Sequence, residues 1–263
     1  MPYRIDLRDP PEHALDTLMD FGALDVEPVE GGLAALMPDV VSAEVVASAL
    51  SVTDVRVSPA VGRDDDSVWM LGPRAVRTRT LSIVPAGGAP QPGALQIADR
   101  PAFGTGLHPT TALCLRILED LLDREVPARI LDVGTGSGIL ALAALRLGVA
   151  RAVGLDIDAD TLRAAAENAR LNAIARRLSL VRGGPDALRG SWPLVVANIR
   201  AAELMAMAPG LVRRLASGGQ LVLSGVPRGV TEDVERTYRR LGMVRLRVEE
   251  RAGWSALVLR PSW

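Results

Sequence analysis

Asp132 stands just ahead of a glycine-rich turn, Gly134-Thr135-Gly136-Ser137-Gly138, and Asp156 closes the next apolar segment, Ala152-Val153-Gly154-Leu155-Asp156. Glycines permit a tight reversal and close approach of a ligand to the backbone. They also bring the first N–H groups of the following helix beside that ligand. The spacing is G-x-G-x-G. Position 139 is Ile where a dinucleotide fingerprint places its third glycine, and the turn lacks the G-K-[ST] ending of a phosphate loop. A carboxylate at 132 would repel a pyrophosphate but attract an amino group. A carboxylate that ends the second strand can accept both hydroxyls of an adenosine ribose. An amino group, a ribose and no phosphate describe S-adenosylmethionine. Asp132, Gly134, Gly136 and Asp156 are therefore expected to bind that donor, with Ile157, next in the chain, counted among the contacts.

Asp186 follows the third strand after Gly183 and Gly184, where an acid can read the exocyclic adenine amine or simply face water. Asn198 ends the fourth apolar segment, Leu194-Val195-Val196-Ala197. Ligands of open α/β sheets lie outside the carboxyl ends of the strands. Asn198 is thus expected to face the transferred methyl and accept a bond from a substrate nitrogen; capping the helix near Ala201 is its structural alternative. Asp158 suits the cap of a helix starting at Ala159. The stretch Phe103-Gly104-Thr105-Gly106-Leu107-His108-Pro109-Thr110-Thr111 precedes another helix, for which Thr110 can be the cap. This loop is expected over the cofactor mouth, with Phe103 covering the ligand or plugging a domain junction. Histidine is the side chain that can change charge near neutral pH, so His108 is a candidate proton acceptor or scaffold residue. Methyl transfer to an unprotonated nucleophile needs alignment more than a strong base.

These residues need a sheet to hold them. Helices are expected over 111–122, 138–147, 159–172, 202–215 and 230–241, with strands at 129–133, 152–156, 178–181, 194–197 and 220–223. Near-continuous apolar strands alternating with helices describe an α/β fold, a mostly parallel sheet covered on both faces. Segments 244–250 and 256–259 meet across Gly253 and should leave the final strand antiparallel. Residues 1–61 read β-α-β-β-α-β, a small α+β domain of split βαβ (ferredoxin-like) type. In it a helix runs from Pro10 and Pro11 to Phe21, Gly31 and Gly32 turn a hairpin, and Ser42 caps the second helix. Residues 62–100 form a linker and accessory β segment: a charged break at 62–66, an alternating strand at 76–84, a Pro/Gly-rich loop at 85–93 and an extended piece at 95–98. Residues 101–263 form the donor-binding domain.

Composition narrows the function classes. Of 263 residues, 48% are hydrophobic and 23% charged, and the formal net charge is -1. With aromatic content of 3% as well, no stable nucleic-acid partner is expected. All 30 basic Lys+Arg residues are arginine, which excludes Schiff-base and lysine general-base chemistry. Cys114 has no second cysteine to pair with, consistent with a reducing compartment. His13, His108 and Cys114 are too few soft ligands for a zinc site, and no metal is expected. Neither a membrane span nor a secretory signal is legible, so the expected location is cytoplasmic.

The stretch from Ala102 to Thr111 resembles the signature of the ribosomal protein L11 methyltransferase family, within the class I S-adenosylmethionine-dependent methyltransferases. Leu131-Asp132-Val133-Gly134-Thr135-Gly136-Ser137-Gly138-Ile139-Leu140 and Gly154-Leu155-Asp156-Ile157-Asp158 are similar to its motifs. So are Glu167-Asn168-Ala169, Val196-Ala197-Asn198-Ile199 and Leu223-Ser224-Gly225. The resemblance implies a Rossmann-like class I methyltransferase sheet, S-adenosylmethionine as donor, and methylation of lysine or α-amino nitrogens on ribosomal protein L11. It also implies that the N-terminal domain recognises the protein substrate. By match of motif, Phe103, Gly104, Thr105, Thr110, Asp132, Gly134, Asp156 and Asn198 are the implied cofactor or active-site contacts. Departures lie between the domains: the family's proline-tryptophan element is missing, since Pro85 is followed by Ala86 and Gly87, although Trp69 remains. The alternatives are a related methyltransferase acting on another protein, a modified peptide or a small amine, and a non-catalytic module that binds the donor.

Overall fold

The computed structural model describes residues 1–64, 68–72, 74–87, 91–99 and 103–263. Part of the charged break at 62–66, part of the loop at 85–93, and Ala102 lie outside the described residues. The chain divides into two compact units, Met1–Pro73 and Arg74–Trp263.

The first unit runs β1 (Tyr3–Arg8), α1 (Ala14–Asp20), β2 (Asp25–Val29), β3 (Gly32–Met37), α2 (Ala43–Leu50) and β4 (Val55–Pro59), followed by a two-stranded ribbon of β5 (Gly62–Arg63) and β6 (Val68–Trp69). The first four strands make an antiparallel sheet in the order β2-β3-β1-β4. Alternation places Ile5 and Leu7 of β1 inward, where they meet Ala14 and Leu18 of α1 and Val46 and Leu50 of α2. Ser42 accepts from Val45 N–H at the start of α2, as its residue type foretold. The first helix begins at Ala14 rather than at the prolines.

The second unit opens with a small sheet of β7 (Val76–Arg77), β8 (Ser82–Pro85) and β9 (Leu95–Ile97). The main sheet follows. Its elements are α3 (Pro109–Arg124), β10 (Arg129–Val133), α4 (Ile139–Arg146), β11 (Arg151–Asp156), α5 (Ala159–Leu171), β12 (Leu178–Arg182), β13 (Trp192–Asn198), α6 (Ala201–Ala206), α7 (Ala208–Arg213), β14 (Leu215–Pro227), α8 (Thr231–Arg239), β15 (Met243–Arg251) and β16 (Trp254–Pro261). Strand order is β12-β11-β10-β13-β14-β16-β15. The first five strands are parallel, and β16 enters antiparallel between β14 and β15. The period of two sorts the strand residues onto two faces. Ile130, Leu194, Val196 and Val222 join α3 and α4 in one core cluster, while Leu131, Val133, Val195 and Ala197 join α6, α7 and α8 in the other. Both faces are buried, which accounts for the unbroken apolar strands.

Three expectations are corrected. The alternating segment 76–84 is two strands paired as a hairpin, not one. Its turn wraps the buried Glu119 carboxylate of α3, which accepts from Thr78 and Thr80 hydroxyls and from the N–H groups of Arg79, Thr80 and Leu81. A helix expected over 202–215 is two, because Pro209 has no N–H to continue the first. The cap of α3 is His108, not Thr110, with Pro109 in the first turn.

Burial acts to raise the Glu119 pKa, but the hydrogen bonds outweigh it and hold it below the usual value. A lowered folded pKa stabilises above the unfolded value near 4.5, and the gain disappears as pH falls through the lower, folded pKa. Glu119→Gln is expected to cost about 2 kcal/mol at pH 7, because the five donors around the carboxylate lose its charge and the Arg79 N–H loses its acceptor oxygen. Urea unfolding at pH 7 and at pH 3 checks this: the gap between the proteins should narrow at pH 3.

Candidate functional site

Asp132, Asn198 and Ser224 close the face of β10, β13 and β14 that lies under the start of α3, since each follows the inward residues Ile130, Val196 and Val222 by two. Asn198 Nδ2 donates to Thr111 Oγ1 at 3.4 Å, and Ser224 Oγ donates to the Thr110 carbonyl at 3.3 Å. Thus two adjacent strands are tied to the start of α3.

Asp132 is 0% exposed. Its Oδ2 accepts from Thr135 Oγ1 at 2.7 Å and from Ala141 N–H at 3.2 Å, while its Oδ1 is buried without a hydrogen-bond partner. Burial pushes the Asp132 carboxyl up to about 7, against the pull of those two bonds, and nearby Asp156 adds to the rise. Asn198 Oδ1 is likewise buried and unpartnered. Buried acceptors carry a desolvation cost that a donor-bearing ligand would remove.

The glycine turn is shaped by close approach rather than by flexibility. A Cβ on Gly134 would fall 2.2 Å from the Ile199 side chain, and one on Gly136 would fall 2.5 Å from the Phe103 carbonyl; both residues have φ in the left-handed region. Ser137 fastens the two loops together. Its N–H donates to Phe103 O at 2.9 Å and its hydroxyl to Gly104 O at 2.6 Å. Phe103 and Thr105 are half-buried, whereas Gly104 and Thr110 are buried. Asp156 is half-buried, taking Gly136 N–H on Oδ2 and Asp158 N–H on Oδ1. Since a carboxylate has roughly four lone-pair sites, both oxygens keep acceptor capacity. Ile157 beside it is 76% exposed, an apolar side chain held next to a polar carboxylate. Asp158 caps α5 as expected.

His108 has a different position from a free base. Its Nδ1 accepts from Thr110 N–H at 3.3 Å and lies 2.7 Å from Thr110 Oγ1, and its ring packs edgewise between Phe103 and Trp254. Asp186 is exposed in the turn after β12 and pairs with Arg213 at 2.8 Å. Both His108 and Asp186 are thus engaged in structural contacts.

Reading the sequence for chemistry passed over Ser137, Thr111, Ser224 and Trp254, and gave Asn168 no task of its own. Asn168 is fully buried: its Oδ1 accepts from Ala98 N–H and its Nδ2 donates to Ser137 O. Asn172, one turn on, accepts from Gln96 N–H and donates back to Gln96 O. The available signal was two asparagines four apart among inward alanines, where a helix gains nothing from asparagine itself. Among the described residues no group of three His, Cys, Asp or Glu gathers to hold a metal, and no helix is long and apolar enough to cross a membrane.

Residues 76–262 match the family model described as ribosomal protein L11 methyltransferase. A ribosomal protein L11 methyltransferase of Chromohalobacter salexigens is 46% identical over 199 residues, which is 73% of this chain and 65% of that protein. The relative from Geobacter sulfurreducens is 43% identical, with 56% of its length covered. The chain thus spans somewhat under two thirds of these relatives. The relative from Methylobacillus flagellatus is 36% identical, over 90% of both chains. Among solved structures, a ribosomal protein L11 methylase from Lactobacillus delbrueckii subsp. bulgaricus superimposes with a TM-score of 0.65 at 31% identity, covering 72% of this chain and all of that one.

Proposed function

The chain belongs to the ribosomal protein L11 methyltransferase family, and from that premise we propose that it is an S-adenosylmethionine-dependent N-methyltransferase acting on lysine or α-amino nitrogens of ribosomal protein L11, in the cytoplasm. The observation that carries the reading is the pair of buried, unpartnered oxygens, Asp132 Oδ1 and Asn198 Oδ1, at adjacent strand ends beside the glycine turn. One acid suits a donor ammonium, and one neutral amide oxygen suits the N–H of an incoming amine. Both belong to a phosphate-free ligand that meets a nitrogen nucleophile.

The donor, when bound, would supply a methyl on a sulfonium for transfer to the substrate amine. This chain's residues then divide the work. Asp132 holds the ammonium, and Asp156 holds the ribose hydroxyls. Gly134 and Gly136 let the backbone approach, while Phe103, Gly104, Thr105 and Thr110 close over the site and exclude water. Asn198 Oδ1 accepts from the attacking nitrogen and aims its lone pair. His108 acts by fixing the start of α3 through Thr110, a positioning role. Ile157 offers an apolar surface for the adenine, and Asp186 is assigned to the exocyclic adenine amine. Recognition of the protein substrate is assigned to the smaller, N-terminal unit.

The assay is transfer of labelled methyl to purified ribosomal protein L11, compared with mixed cellular protein and RNA. Wild-type protein should label L11, and Asn198→Ala should lower kcat by roughly a hundredfold with little change in donor affinity. Label on other components with none on L11 would defeat the substrate assignment while leaving the donor assignment in place.

A further inference from the structure

The last turn of α5 runs along β9 on the side away from β8, and two asparagines there take the place of a neighbouring strand. Asn172 Oδ1 accepts from Gln96 N–H at 2.8 Å, and its Nδ2 donates to Gln96 O at 2.7 Å. Asn168 Oδ1 accepts from Ala98 N–H at 2.9 Å, two residues on and therefore on the same edge. To this extent the two side chains do one job, pairing backbone groups that a strand edge must satisfy.

Asn168 then does something that Asn172 does not. Its Nδ2 donates at 2.8 Å to Ser137 O, inside the glycine turn. Ser137 in turn holds Phe103 O with its N–H at 2.9 Å and Gly104 O with its hydroxyl at 2.6 Å. The path closes on itself. The chain leaves Asn168 at Ala98, returns to the turn at Phe103, and reaches the same amide again through Ser137. Asn168 is 0% exposed, so water does not compete for either bond. The turn and the helix also stand in close contact, since a Cβ on Gly138 would lie 3.2 Å from that of Ala165 on α5. We propose, on the reading of this site as a donor pocket, that Asn168 is a positioning residue: it fixes the glycine turn to the end of β9 and thereby holds Phe103 and Gly104 in place before the donor arrives. A segment ordered in advance costs the ligand no ordering entropy, whereas a freed one must be ordered at the expense of affinity.

Calorimetry with S-adenosylmethionine, beside melting curves, tests this on the full chain. Asn168→Asp keeps the size of the side chain and its acceptor for Ala98, but meets Ser137 O with a second acceptor. Asn172→Asp does the same to Gln96 O and leaves the glycine turn alone. Both variants should melt below wild type. Only Asn168→Asp should bind the donor more weakly, by roughly tenfold, and in steady-state assays its KM should rise for the donor and not for the protein acceptor. Ser137→Ala cuts the same path one bond further on, at Gly104 O, without touching β9. It should also weaken donor binding, and gives a readout where the Asn168 variant folds poorly. Equal loss of donor affinity in Asn168→Asp and Asn172→Asp would mean a general loosening and overturn the proposal. So would wild-type affinity in Asn168→Asp, or in Ser137→Ala where the first does not fold. A wild-type protein that binds no donor defeats the proposed function itself, and the role of Asn168 falls with it.

Discussion

Asp156→Ala is expected to weaken S-adenosylmethionine binding roughly a hundredfold, because about 3 kcal/mol is lost when an anionic acceptor is withdrawn from two ribose hydroxyls. Each such bond to a charged group contributes about 1.5–3 kcal/mol, and the half-buried setting of Asp156 favours the lower end. Part of the loss comes through the protein itself. Asp156 Oδ2 takes the Gly136 N–H at 3.2 Å and Oδ1 takes the Asp158 N–H at 3.1 Å, so the carboxylate also ties the glycine turn to the end of β11. Asp156→Asn keeps one acceptor oxygen and should lose roughly tenfold, separating charge from shape. Nicotinamide dinucleotide should bind neither protein, since Asp132 faces the turn where a pyrophosphate would sit. Calorimetry with each ligand measures this, with circular dichroism to show that the fold survives. Unchanged donor affinity in Asp156→Ala would sink the ribose assignment.

The parts of this site legible in the sequence are those where one residue's type is dictated by its own backbone position. Glycine at 134 and 136 is required by positive φ and by contacts that leave no space for a Cβ, and such residues announce themselves in one dimension. Asp156 and Asn198 each end an apolar strand, and Asp132 stands one residue before the end of another, ahead of the glycine turn, so strand pattern and motif together located them at the same edge of the sheet. Much of the remainder was hidden because it depends on contacts between distant segments. Glu119 explains why 76–84 turns back on itself, but its partners lie about forty positions earlier. Ser137 and Asn168 hold three segments together with bonds to backbone atoms, and backbone acceptors leave no mark in a sequence. Thr110 looked like the better cap by residue type. His108 took the role because Pro109 fills the first helical position, where its missing N–H costs nothing, and the ring nitrogen reaches the next N–H.

The carboxyl of Asp132 should make donor affinity depend on pH in a way opposite to its effect on the empty protein. Its pKa is pushed up to about 7, chiefly by burial, from an unfolded value near 3.8. Between those values the folded protein binds more protons than the unfolded chain, so stability falls as pH rises through the window, and above pH 7 the full cost of the buried anion is present. That cost is at most roughly 4 kcal/mol. Asp132→Asn removes it, and in the absence of donor the variant should melt higher than wild type at pH 8 and show little advantage at pH 4. Binding runs the other way. A donor ammonium requires the anion, so wild-type affinity should rise roughly tenfold per pH unit below 7 and level off above it, until the ammonium itself deprotonates near pH 8. Asp132→Asn should bind far more weakly and lose the acid limb altogether. Melting curves without donor at pH 4 and pH 8, with calorimetric titrations from pH 5.5 to 8.5, separate the two effects. A flat wild-type affinity below pH 7 would remove Asp132 from the ammonium contact, whereas a variant no more stable than wild type at pH 8 would mean that the buried oxygen is solvated. The position thus trades stability of the empty protein for a charge that the donor alone can match, which is why an aspartate stands among Ile130, Leu131 and Val133 in β10.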